Sequence, residues 1–216
     1  MQKIKKYVKN NQKFVISLCI LFIGNCFMYW LIKLFQSNPV YINFYLDNKI
    51  PFWGWLVYVY DMFYPFCIIA FILLYQKDEK AYYKGVISCL IGIIICDIIF
   101  LIMPTIMYRP EIPNYDPLTN LVLQITYYFD EPPLNCFPSL HCVFCFQVIF
   151  SYIVSKCQIK RKTWVIIVSL LIIISTLFVK QHYIFDIIAA LLVCLISNML
   201  ENVLGIYNWF KKKKIL

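Results

Sequence analysis

Charged side chains are scarce in this chain. Asp, Glu, Lys and Arg make up 14% of its 216 residues, 62% are hydrophobic, and mean hydropathy is +0.72. A soluble domain averages about 25% charged, so the shortfall excludes one and points to a lipid bilayer. Alternation of polar and apolar residues is absent too. That excludes a membrane β-barrel, whose strands switch between lipid and lumen at every residue. Nor is there a soluble domain, a long linker or an internal repeat.

What is present instead is six continuous apolar runs, near 14–35, 56–75, 83–103, 137–155, 164–179 and 183–205. A helix crossing a hydrocarbon core of about 30 Å needs roughly 20 apolar residues. The fold expected is all-α: a single integral membrane domain over 1–216, built as a six-helix bundle. The opening "MQKIKKYVKNNQK" leads into a run too long for a signal peptide, with no small-residue cleavage site after it. The first helix is expected to be retained.

Basic residues set the orientation. Sixteen of the twenty Lys and Arg fall in the amino-terminal segment, the second-to-third and fourth-to-fifth connections and the tail (Lys211 to Lys214). The other connections hold Lys49, Arg109 and Lys180, with Lys33 near the outer end of the first helix, and carry Asp47, Glu111, Asp116, Asp130 and Glu131. Both termini are therefore expected to be cytoplasmic. The net charge of +9 follows from this topology and from contact with anionic lipid heads, with no nucleic-acid partner needed. The protein is expected to be a multi-pass protein of the plasma membrane.

Ten cysteines could suggest a metal or disulfide framework, but most lie mid-helix, where Cys packs as a small apolar residue. Cys142 and Cys145 share a helix face beside His141, with Cys136 close by, yet no second Cys pair matches them, and packing is preferred over zinc. Asp97 and Asp61 lie inside apolar runs and are expected to face the bundle; Glu201 is expected to pair or snorkel at the cytoplasmic end.

The chain has two histidines, and both stand where an apolar run begins: His141 in "NCFPSLHC" and His182 in "KQHYIFD". His182 and Asp186 are four apart, so their side chains share a helix face and can meet. A carboxylate on one ring nitrogen fixes the tautomer and leaves the other free as nucleophile. His141, on another helix, suits the general acid. Arg109 offers a planar fork for phosphate oxygens, and Ser139 at a helix start offers N–H groups and a hydroxyl to an anion. All fall on the extracytoplasmic face, where the segment 104–134, holding six of the ten prolines, reads as a cap. Together they describe phosphoryl transfer through a phosphohistidine.

"RP" at Arg109–Pro110, "PSLH" at Pro138–His141 and "HYIFD" at His182–Asp186, in that order, resemble the three signature motifs of the type 2 phosphatidic acid phosphatase superfamily. "IPFWGWLVYVYDMFYP" and "FPSLHC" are similar to its inositol phosphorylceramide synthase-like and sphingomyelin synthase-like branch. The resemblance covers about 50–190. It implies His182 as nucleophile, Asp186 as its orienting partner, His141 as acid to the leaving group, Arg109 and Ser139 as phosphate binders, and no metal or other cofactor. It departs from the family pattern at Ile102 and Thr176, where the first and third motifs usually carry Lys and Arg, and at Leu140, where Gly is usual. Lys180 is the expected substitute for one lost cation, and Lys49 a candidate for another.

The function expected is a metal-independent lipid phosphate phosphatase, with a lipid phosphate or diphosphate as substrate and membrane lipids as surroundings. Two alternatives stand beside it. One is a head-group phosphotransferase using the same site; the other is a non-catalytic lipid-binding protein with a degraded phosphate cradle.

Overall fold

The computed structural model describes residues 11–215, so Lys3, Lys5, Lys6 and Lys9 of the basic amino-terminal segment lie outside the described residues. The helices are α1 (Gln12–Lys33), α2 (Gly54–Lys77), α3 (Glu79–Ile102), α4 (Pro117–Phe129), α5 (Leu140–Val154), α6 (Ile159–Phe178), α7 (Ile184–Leu204) and α8 (Ile206–Lys212). Five of them, α1, α2, α3, α6 and α7, are long and apolar enough to cross a membrane. α5 is apolar but has 15 residues, about 22 Å at the usual rise. The segment 104–134 contains a helix, α4, inside the expected cap.

Local chemistry explains where the helices start and stop. The Asp78 carboxylate caps α3 at the Ala81 N–H. Asp116 caps α4 at the Leu118 and Thr119 N–H groups, with Pro117 in the first turn. The Thr119 hydroxyl and N–H hold the Asp116 carboxyl below its ordinary value. Ser139 caps α5 at Cys142 N–H. α6 ends in a Schellman arrangement: Lys180 takes the left-handed conformation (φ 53°), its N–H donates to Leu177 O, and Gln181 N–H donates to Thr176 O. α7 ends at Gly205, also left-handed.

α5 is the central helix and packs against α2, α3, α6 and α7. Two glycines allow α3 to approach it closely. A Cβ on Gly85 would collide with Ser151 Oγ, and one on Gly92 would lie 3.3 Å from Val143 Cγ1. Tyr82, Phe71, Phe144, Phe100 and Ile172 fill the core around this contact. Outward faces are apolar as well, with Ile94, Ile98 and Leu101 on α3, Leu170 and Ile174 on α6, and Leu192, Leu195 and Met199 on α7 exposed. A soluble protein rarely exposes so continuous an apolar surface, whereas lipid requires one.

The two ends of the bundle are built differently. At one end, Lys13 Nζ donates to Lys214 O (2.8 Å), the Asp78 carboxylate accepts from Lys156 N–H (2.9 Å), and Lys84 pairs with Glu201 (3.1 Å), so this carboxylate pairs rather than snorkels. The start of α1 and the carboxy-terminal segment are thus adjacent. At the opposite end the connections fold over α5 and α7. Trp53 N–H donates to Phe178 O, Tyr127 hydroxyl to Val179 O, and Ile184 N–H to the Asp47 carboxylate.

Candidate active site

His182 follows directly from the end of α6. Thr176 O accepts from both Gln181 N–H (2.9 Å) and His182 N–H (3.2 Å), which turns the chain so that Tyr183 begins α7. Asp186, in the first turn of α7, accepts from Tyr183 N–H (2.8 Å) and lies 3.2 Å from His182 Nδ1 through the same oxygen. Cys136 O is 3.1 Å from that nitrogen. Both neighbours of Nδ1 are acceptors, so Nδ1 carries the proton and Nε2 is the unprotonated nitrogen. Here sequence spacing and structure agree, and the pair is buried, His182 at 7% exposure and Asp186 at 1%.

His182 Nε2 faces His141 Nδ1 at 3.4 Å. His141 sits in the first turn of α5, and its Nε2 lies 3.1 Å from the Tyr60 hydroxyl on α2. The rings of Tyr60 and Phe63 flank the imidazole at 4.9 and 4.5 Å. The proton assignment on His182 propagates outward. His141 Nδ1–H donates to His182 Nε2, and Tyr60 O–H donates to His141 Nε2. Residues separated in sequence by 81, 41 and 4 positions thus form one line, Tyr60, His141, His182, Asp186.

The Arg109 side chain is buried, and it connects to this line through Gln181. Its guanidinium pairs with the Asp130 carboxylate, donates to Gln181 Oε1 (2.6 Å) and Tyr127 O (3.3 Å), and lies over the Tyr127 ring at 4.8 Å. Gln181 is the residue before the nucleophile candidate, so Arg109 reaches the line through one amide. Ser139 is fully buried. Its N–H donates to Asp186 O (3.2 Å) and its hydroxyl accepts from Cys142 N–H (3.2 Å), so it joins the starts of α5 and α7.

Lys180 is placed elsewhere. Its ammonium donates to Ile50 O (2.6 Å), with Asp47 O at 3.5 Å, and so anchors the first outer connection. Lys49 lies over the Tyr45 ring at 4.5 Å. Ile102 is 79% exposed on the outer face of α3. Asp97 is buried, and Asp61, though more exposed, lines the cavity described below and accepts from the Thr126 hydroxyl of α4.

A cavity of about 460 Å³ ends at the two imidazoles. α1 contributes Cys26, Tyr29 and Trp30 to its wall, α2 contributes Tyr60, Phe63 and Tyr64, and α4 contributes Ile125 and Phe129; Asp130, Asn135 and Gln181 are among its polar groups. Aromatic walls with few polar groups at one end are the usual build of a ligand pocket. The sequence spacing gave no sign of Tyr60, Gln181, the Cys136 carbonyl or Asp130. Only the adjacency of Gln181 to His182 could have drawn attention to any of them. Cys136, Cys142 and Cys145 are buried, and among the described residues no three His, Cys, Asp or Glu side chains are grouped to hold a metal ion.

Searches of curated proteins and of solved structures return no significant match. The family model of the PAP2 superfamily matches residues 34–200, a stretch that takes in both histidines, Asp186, Arg109 and Ser139 and most of the chain, and the chain therefore belongs to that superfamily.

Proposed function

We propose that this protein is an integral membrane lipid phosphate phosphatase that works on the extracytoplasmic face through a phosphohistidine at His182 Nε2. The observation that carries the reading is the facing of the two imidazoles at the end of an aromatic cavity, one held by Asp186 and the Cys136 carbonyl, the other by Tyr60. Superfamily membership and the apolar helices fit a membrane lipid phosphatase.

In this mechanism a lipid phosphate enters with its apolar part in the cavity and its phosphoryl group at His182 Nε2, where it replaces the hydrogen bond from His141. His182 Nε2 forms the N–P bond while the P–O bond to the lipid alcohol breaks. His141, which takes a second proton at Nε2 from the entering phosphate monoester while the Tyr60 hydroxyl turns to accept it, gives its Nδ1 proton to the departing oxygen. Water then attacks phosphorus, returns a proton to His141, and frees phosphate and His182. Asp186 stabilises the positive charge that His182 develops at Nδ1, and Arg109 holds phosphate oxygens, with Ser139 organising the turn beside them. Lys180 would reach the phosphate only by leaving the Ile50 and Asp47 carbonyls.

The topology proposed has α5 as a sixth crossing, assisted by its flanks from 137 to 155. An even number of crossings agrees with the contact between Lys13 and Lys214, and the basic connections then put both termini in the cytoplasm. Within the superfamily, "FPSLHC" supports a place beside the inositol phosphorylceramide synthase-like branch.

The test is phosphate release from a panel of lipid phosphates by purified protein in detergent with EDTA, beside His182→Ala. Release that survives chelation and is lost in the variant is expected; wild-type rates in His182→Ala would refute the mechanism. Phosphate that appears on an added alcohol instead of in water would identify transfer.

A further inference from the structure

The family positions that usually carry two further cations hold Ile102, exposed on the outer face of α3, and Thr176, whose hydroxyl donates to Ile173 O. A phosphate seat with Arg109 alone leaves much of a dianion uncompensated. The structure has a second buried cation at this end of the bundle, on a helix that no motif includes. Lys33, the last residue of α1, precedes the matched residues 34–200. Its side chain is 5% exposed, and its ammonium lies 3.1 Å from Asp130 Oδ1.

Asp130 gathers donors from three directions. Lys33 and the Tyr29 hydroxyl (2.5 Å) reach Oδ1, and the Arg109 guanidinium reaches Oδ2. Glu131 stands 3.7 Å from Arg109 but is exposed, so Asp130 is the nearer counter-anion. Asp130 also lines the cavity. The field of the cluster extends to the nucleophile's support: burial chiefly, then Asp186 and Asp130, push the Cys136 thiol up, and Arg109 and Lys33 oppose them.

Two buried donors next to this cluster are unused. Arg109 Nε and Gln181 Nε2 have no hydrogen-bond partner among the described residues. Gln181 is 3% exposed, lines the cavity and adjoins His182. Buried donors without acceptors are costly, and in a native structure such groups call for an explanation, an ion or a catalytic role among them. A carboxylate has two oxygens to offer and a bound phosphate group has more. An anion with additional oxygens would satisfy the donors that Asp130 leaves over.

We propose that Asp130 occupies the phosphate seat as an internal counter-anion, that Lys33 is the second cation of that seat, and that phosphate, free or as a lipid head group, displaces the Asp130 carboxylate onto Lys33, Arg109 and Gln181. The identity of the lipid ligand rests on the phosphatase reading above, whereas occupation of the seat by inorganic phosphate does not.

The experiment is equilibrium binding of radiolabelled inorganic phosphate to purified full-length protein in detergent, comparing wild type, Asp130→Asn, Lys33→Gln and the double variant. Asp130→Asn, which keeps the size, removes the charge and replaces one accepting oxygen with an NH₂ to which Lys33, Tyr29 and Arg109 cannot donate, is expected to bind phosphate about tenfold more tightly, a change of about 1.4 kcal/mol. Lys33→Gln is expected to bind about tenfold more weakly, and the double variant to lose the gain. Unchanged or weaker binding in Asp130→Asn overturns the proposal, as does wild-type affinity in Lys33→Gln or an absence of binding in all four proteins. If Asp130→Asn does not fold, the Lys33→Gln arm decides alone. Failure of the enzymatic reading shows separately, as lipid phosphate turnover that is missing or insensitive to His182→Ala while the phosphate affinities shift as expected. A lipid phosphate competing with the labelled ion distinguishes a head group from free phosphate as occupant.

Discussion

Replacing Asp186 with Asn tests how the proposed nucleophile, His182, is held. In a Ser-His-Asp hydrolase the same replacement costs about 10⁴ in rate, because the amide stabilises the wrong histidine tautomer. Two features should prevent that here. Tyr183 N–H donates to the Asp186 oxygen that also contacts His182. An asparagine must therefore keep its carbonyl oxygen at that place, since its NH₂ would face the Tyr183 N–H. The Cys136 carbonyl, 3.1 Å from Nδ1, can only accept, so it keeps the proton on Nδ1 as well. What the variant loses is the negative charge facing the imidazolium character that develops as the N–P bond forms. A hydrogen bond to a charged group contributes about 1.5–3 kcal/mol and a neutral one about 0.5–1.5. The difference of about 1–2 kcal/mol corresponds to roughly 5- to 30-fold in rate. Single-turnover release from a lipid phosphate, with saturating purified protein, measures this directly. A loss near 10⁴ would refute the role given to the Cys136 carbonyl and Tyr183 N–H, and no loss would refute the electrostatic role of Asp186.

His141→Ala is expected to slow release from an alkyl phosphate by about 10²–10⁴ and to slow p-nitrophenyl phosphate far less, because a good leaving group needs no proton; equal losses on the two substrates would remove His141 as the acid. Gly85→Val is expected to lower stability by about 1–3 kcal/mol through its collision with Ser151, with partial recovery in a Gly85→Val, Ser151→Ala double variant. Thermal unfolding in detergent measures both, and no recovery would show that the contact is not what limits the approach of α3 to α5. Burial lowers the Lys180 ammonium below its ordinary value, and the Asp47 carboxylate opposes it. A base whose folded value is depressed costs stability while both states are protonated, and that cost fades as pH rises through the folded value toward about 10.4. The stability of Lys180→Gln relative to wild type is therefore expected to fall as pH rises from neutrality toward about 10, and a difference independent of pH would contradict this.

The membrane class, the all-helical build and the pairing of His182 with Asp186 were legible in the chain because each follows from short-range rules. Lipid demands long apolar helices, and four residues make one turn. The three motifs also named the family. Other parts of the molecule depend on which helices become neighbours, and local spacing carries no record of that. The carbonyl of Cys136 meets His182 because a loop 46 residues away folds under it. Tyr60 meets His141 because α2 packs on α5, and Lys33 meets Asp130 across 97 residues. Lys180 looked like a cradle cation because it is two residues from His182, but the left-handed turn that ends α6 goes with a side chain directed at the Ile50 carbonyl. Periodicity and motif order determined the fold class and the His182–Asp186 pair; the long-range packing of α1, α2 and the outer connections decided which cations, hydroxyls and carbonyls surround it.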